Sequence, residues 1–106
     1  MTITELNQAL KSIGLPLAYH SFKTAPTPPY LVYLFTYSND MIADNQNYVE
    51  ISNFQVELYN TKKDPATEKR VEDKLKELES PYTKTETFVE SEGLFQVIYL
   101  FQVIGG

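Results

Sequence analysis

The chain has 106 residues, 42% of them hydrophobic, with a net charge of −5, eight tyrosines, one histidine, and no cysteine or tryptophan. That suffices for a single domain with one core and is too apolar for a disordered chain. It excludes disulfide scaffolds, thiolate zinc sites, iron–sulfur clusters, cysteine nucleophiles and multi-histidine metal sites, and the acidity argues against a generic phosphate-binding surface.

The N-terminal residues Met1 to Glu5 carry an early acid and no basic stretch, unlike a signal peptide. Ile3, Leu6, Leu10 and Ile13 recur at helical spacing, Thr2 and Glu5 fit a capping box, and Gly14 and Pro16 stop the pattern. A short helix results, with Asn7, Gln8, Lys11 and Ser12 facing water. It must dock to be stable. Leu17 to Phe22 reads as a weak strand. The run Ala25-Pro26-Thr27-Pro28-Pro29 reads as an extended connector, although Pro26 to Pro29 also fits the weak P-x-x-P pattern. Tyr30 to Tyr37 is the clearest strand. Its apolar run, Tyr30 to Phe35, is only six residues long. A membrane span needs about 20, so no span is expected.

Ser38 to Asn47 is polar and reads as a long loop carrying Met41 and Ile42 near its tip. Glu50 to Asn60 is a second strong strand. Val49 and Ile51 are out of phase with it, which predicts a bulge near Ser52. Asp64-Pro65 signals a helix start, and Val71, Leu75 and Leu78 give its buried stripe. Glu72 and Lys76 are spaced for an ion pair on its outer face. Tyr82 to Glu90 alternates threonine with charge, as suits an edge strand protected from aggregation. Ser91-Glu92-Gly93 is a hairpin loop, and Leu94 to Ile104 is a long apolar strand. Residues 1–106 therefore read as one α+β domain: a small antiparallel sheet of four to five strands with two helices packed on it.

The sheet carries more apolar surface than two helices can cover. The strands Tyr30 to Tyr37 and Leu94 to Ile104 are apolar on both faces, and in the last strand only Gln96 and Gln102 interrupt one set. A sheet with one wet face should alternate. The proline segment covers the second face, or the helices lie on opposite faces, or another subunit covers it.

Signals for chemistry are sparse. His20 beside Ser21 is the only pair suggesting nucleophile activation, with no G-x-S-x-G elbow. Asp40 and Asp44 lack the alternating ligands, glycine and terminal glutamate of a calcium loop. Lys62-Lys63 and Lys69-Arg70 are interleaved with acids, as on a solvated helix face. No glycine-rich phosphate loop exists. The chain is expected to be no enzyme, to hold no cofactor or metal, and to bind no specific nucleic acid sequence and no membrane.

The segments Pro29-Tyr30-Leu31-Val32-Tyr33, Thr36-Tyr37-Ser38-Asn39 and Ala43-Asp44-Asn45, and the run Val56 to Pro65 (VELYNTKKDP), carry a resemblance. With the Glu-rich helix and the terminal hairpin, they resemble the tail-completion, or tail-terminator, proteins of long-tailed phages and prophages of Gram-positive bacteria. The resemblance implies a ring, typically of six subunits, that caps the tail tube and joins it to the head connector. Its partners would be copies of itself, the major tail tube protein and the head connector protein. The protein would belong to the virion, and to the host cytoplasm during assembly. No catalytic residues transfer. The candidate protein-contact residues are Tyr33, Tyr37, Tyr59, Tyr99 and Phe101 on the strands, and Met41, Ile42 and Asp44 in the loop. The acidity would also suit a lumen that DNA crosses without sticking. The alternatives are another connector or minor capsid component, a monomeric intracellular protein- or peptide-binding module, and a small carboxylate enzyme assisted by His20.

Overall fold

The computed structural model describes residues 1–43 and 45–105. The first helix, α1 (Ile3–Lys11), starts as its sequence predicts. The Glu5 N–H donates to the Thr2 hydroxyl, and the Thr2 N–H donates to the Glu5 carboxylate, both at 3.1 Å. These bonds satisfy two donors that a helix start leaves open. Gly14 turns the chain at φ +90°. A side chain there would be strained, and its Cβ would lie 3.3 Å from the Arg70 guanidinium, which donates to the Ile13 carbonyl.

The strands are β1 (Leu17–Tyr19), β2 (Tyr30–Ser38), β3 (Met41–Ala43), β4 (Gln46–Val49), β5 (Ile51–Asn60), β6 (Tyr82–Val89) and β7 (Leu94–Ile104). Five of them form a sheet in the order β1-β2-β5-β7-β6. The expected α+β class is what the structure has, but the sheet is mixed: β1 runs parallel to β2, and the other pairs are antiparallel. The expected long loop is instead a hairpin, β3 paired with β4, projecting between β2 and β5. The expected bulge near Ser52 is also displaced. The β5–β7 ladder is regular through Ser52, and the shift falls on β2 between Phe35 and Tyr37. Val49 is out of phase because it belongs to β4.

The second helix, α2 (Pro65–Glu77), begins on Asp64, whose carboxylate accepts from the Thr67 N–H (3.3 Å) and hydroxyl (2.7 Å). It ends with Glu79 in the left-handed region (φ 55°), as Ser80 donates to the Leu75 carbonyl and Glu79 to that of Lys76. This double closure satisfies carbonyls the last turn leaves open.

Both helices pack on one face of the sheet. Leu6 and Leu10 of α1 and Val71 and Leu75 of α2 share a core with Leu31, Val56, Leu58 and Tyr99. That excludes helices on opposite faces. On the second face, a smaller cluster of Tyr30, Val32 and Leu94 lies under Phe22, from the segment after β1. Phe22 meets Tyr30 edge-on at 5.4 Å, and Tyr30 stacks on Tyr59 at 5.1 Å. The proline-containing segment therefore covers one end of the second face only.

Candidate interaction surfaces

The strand registers place Leu34, Gln55, Leu100 and Thr83 in one row of the second face, then Tyr37, Asn53 and Gln102, then Ile51 and Ile104. Both described helices pack on the opposite face, away from this end. Tyr37 is 59% exposed, Leu100 43% and Ile104 58%. The polar residues between them are tied to one another. Asn53 donates to the Tyr37 carbonyl (3.1 Å) and the Asn39 side chain (2.7 Å), and Gln102 donates to Asn53 (3.2 Å). Apolar side chains are thus held on a braced polar floor.

A groove of about 730 Å³ adjoins this face, lined by Tyr37, Asn53, Leu100, Ile104, Pro81 and Tyr82 among others. It exists because β6 ends early. Tyr82 pairs with Phe101, and the next residue, Pro81, has no N–H with which to extend the ladder toward Gln102. The last residues of β7 therefore run past β6. Beside the groove stands the β3–β4 hairpin, with Met41 and Ile42 exposed. Its base is fixed where the Ile51 N–H donates to Asp40 (2.8 Å) and the Asn39 N–H donates to the Ile51 carbonyl (3.0 Å).

Three of the sequence-predicted contact residues are corrected. Tyr33, Tyr99 and Phe101 are buried under the helix layer, and of the three Phe101 alone reaches the floor of the groove. Tyr33 accepts from Asn7 at 2.6 Å, so Asn7 does not simply face water, and the Tyr99 hydroxyl donates to Glu72 at 2.8 Å. Burial, reinforced by Glu72, pushes the Tyr99 hydroxyl far above its ordinary pKa. Tyr59 is half-buried, donating to Glu57 (2.7 Å) and accepting from Gln96 (2.9 Å). Tyr37, Met41 and Ile42 are exposed at the uncovered end, and Asp44 lies outside the described residues. Leu100 and Ile104 were missed. Their signal was present: Gln96 and Gln102 interrupt their set and not the other, which marks the wet side of the strand.

The charges are segregated. No lysine or arginine occurs between Lys23 and Lys62, a stretch that includes the hairpin, β2 and β5. On the helix side, Lys84 bridges Glu68 and Glu72 (2.7 Å each), and Lys63 bridges Glu68 (2.9 Å) and Glu86 (2.7 Å). Glu72 thus pairs with β6 and Tyr99 rather than forming the expected bridge to Lys76. Burial raises both glutamates, but the hydrogen bonds from lysine and, for Glu72, from Tyr99 outweigh it. Both carboxyls lie below the ordinary 4.5.

A shallow cavity of about 190 Å³ gathers His20, Ser21, Glu57, Tyr59 and Glu92. The His20 ring stands 3.4 Å from its chain neighbour Ser21 in an exposed position, and the Glu57 oxygens are engaged by Gln55 and Tyr59. Among the described residues, no three acidic, histidine or cysteine side chains form a metal-binding group. Among them, too, no helix is long and apolar enough to cross a membrane. No protein-family model matches the chain, and no curated protein matches it.

Proposed function

We propose that this chain is a virion structural subunit at the head–tail junction, assembling as a ring that caps the tail tube and joins it to the head connector. The observation that carries the proposal is the uncovered end of the sheet. Tyr37, Leu100 and Ile104 lie exposed there beside a groove and a projecting hairpin with two exposed apolar side chains. These are two different patches on one chain, the arrangement that a head-to-tail contact requires, and such contacts form a ring where their rotation closes. The sequence resemblance supplies the junction, the hexamer, and the tail tube and connector partners. A hairpin and two strands without lysine or arginine also suit a wall past which DNA must slide, because they offer phosphates no counter-charge. The working place is the virion, reached from the host cytoplasm.

Electron microscopy of the protein alone at high concentration, and mixed with purified tails, tests this. Rings or capped tube ends are expected; tails that remain uncapped at saturating protein reject the proposal. The groove favours a second reading, a module that takes an extended peptide against the free end of β7. A protein that binds peptide there and ignores tails would fit that reading instead.

A further inference from the structure

We propose that β6 pairs edge to edge with β6 of a second copy, antiparallel about a two-fold axis through Thr85. β6 is the outermost strand of the sheet, and Thr83 to Phe88 are all exposed, so among the described residues no element covers its outer edge. The direction of its backbone groups follows from the ladder. The Gly105 N–H donates to the Glu50 carbonyl on the β5 side. Peptide groups alternate along a strand, so the even-numbered residues of β7 turn theirs toward β6. Their partners there are Thr83, Thr85 and Thr87. Tyr82, Lys84, Glu86 and Phe88 therefore direct their N–H and C=O groups outward, as a template for another strand.

Charge then selects both the partner and the register. Outward residues of one strand must oppose outward residues of the other, so three central registers are open. One sets Lys84 against Lys84, another sets Glu86 against Glu86, and the third sets Lys84 against Glu86 on both sides of the axis. Like charges directly opposite are unfavourable and unlike charges favourable, so the third prevails. The same register sets Thr83 against Thr87 and Tyr82 against Phe88. It thereby covers the ring of Phe88, which is 47% exposed although it packs on Phe95 at 5.0 Å. The charges are already held in place within each chain, Glu86 by Lys63 and Lys84 by Glu68 and Glu72. Pairing would join these groups into one alternating row across the axis. A strand whose charge pattern is complementary to its own reverse fits a copy of itself better than an unrelated edge. The Lys–Glu alternation that guards this edge against other strands admits this one. The dimer goes beyond the ring proposal and does not rest on it, because a two-fold contact closes on itself and leaves the Tyr37, Leu100 and Ile104 patch free.

Cysteine cross-linking reads the register directly, since the chain has no native cysteine. At the axis, Thr85 faces its own copy as a non-hydrogen-bonded pair, where Cα atoms lie about 4.5 Å apart, within disulfide reach. Under mild oxidation Thr85→Cys should link into dimers. Thr83→Cys alone should not, whereas an equimolar mixture of Thr83→Cys and Thr87→Cys should. All three positions are exposed threonines, and urea denaturation under reducing conditions checks that each variant is folded. Sedimentation of the unmodified chain should show a concentration-dependent dimer, and Thr85→Lys should weaken it roughly tenfold by opposing like charges at the axis. A Thr85→Cys protein that does not link, a Thr83→Cys protein that links as readily, or dimerisation unmoved by Thr85→Lys would each overturn the proposal.

Discussion

Tyr99 and Leu100 are neighbours on β7 with opposite surroundings. Tyr99 is fully buried beneath the helix layer, with its hydroxyl bonded to Glu72, while Leu100 is 43% exposed on the second face. The same contrast runs across the sheet. Beneath the helices, the β5 and β7 positions are apolar almost without interruption, as Phe54, Val56 and Leu58 beside Val97, Tyr99 and Phe101. On the other face, Gln55, Glu57, Gln96 and Gln102 lie between the apolar residues and bond to their neighbours. One face is organised to exclude water. The other keeps apolar side chains in reach of water while satisfying its polar groups, and that suits a surface meant to be covered by something else.

The largest test of this contrast is a pair of truncations one residue apart. Tyr99→Ala should cost about 3–5 kcal/mol, through lost burial and the cavity it leaves. That is a large share of the whole stability of a domain this size. Leu100→Ala should cost about 1 kcal/mol or less, because much of that side chain already meets water. Urea denaturation of the two variants measures both. Equal costs would mean that the second face is as closed as the first.

The next effect belongs to the helix side alone. Glu68 and Glu72 lie below the ordinary carboxylate value because lysine and tyrosine donors outweigh the effect of burial. A carboxyl depressed in the folded state contributes stability that is complete above its unfolded value, near 4.5, and is lost as the pH falls through the folded value. The urea midpoint should therefore decline below about pH 4.5. In the double variant Glu68→Gln, Glu72→Gln, stability at neutral pH should be lower by about 1–3 kcal/mol, since three lysine–carboxylate contacts lose the charge of their acceptor while Tyr99 keeps an acceptor. The decline with acid should be shallower in that variant. It should not vanish, because Glu5 and Asp64, capping the two helices, are depressed as well. An unchanged acid slope would remove the α2–β6 clamp from the account.

Much of the fold was legible because it is written locally. The Thr2–Glu5 box, the Asp64-Pro65 start and the Gly93 turn each satisfy or relieve specific backbone groups within a few residues, and each forms where expected. What was not legible depends on tertiary choices. The segment 38–47 has the asparagines and aspartates of a loop. Its strands are only three and four residues long, so pairing rather than propensity makes them. Gln96 and Gln102 mark the wet side of β7 and so turn Tyr99 and Phe101 toward the helices, but β2 is apolar on both sides and carries no such mark, so the burial of Tyr33 depends on the layering. The break in phase at Val49 marks the boundary between β4 and β5 rather than a bulge, and the register shift at Thr36 lies on β2, where the sequence of β5 gives no sign of it. The pairing potential of β6 is present in Tyr82 to Phe88, but only its edge position and the direction of its peptide groups give that pattern a meaning.

The smallest effect on stability should come from the hairpin, and it separates folding from assembly most cleanly. β3 and β4 form a two-stranded sheet of their own, outside the five-stranded one, and Met41 and Ile42 are 56% and 71% exposed. The contacts that close the β2–β5 end lie below it, at Ser38 paired with Ser52 and at the Asn39 and Asp40 bonds to Ile51. Replacing residues 41–49 by a two-residue Asn-Gly turn should therefore change the urea midpoint by the equivalent of about 1 kcal/mol or less, because shortening a connection alters its closure entropy only slowly. The same variant should fail to cap tails, since it lacks the apolar arm offered to a neighbour. If it caps tails as well as the intact chain, the hairpin is dispensable and the contact must lie on Tyr37, Leu100 and Ile104 alone. If it fails to fold, the hairpin supports the sheet rather than projecting from it, and the division between a closed folding face and an open assembly face does not hold at that end of the molecule.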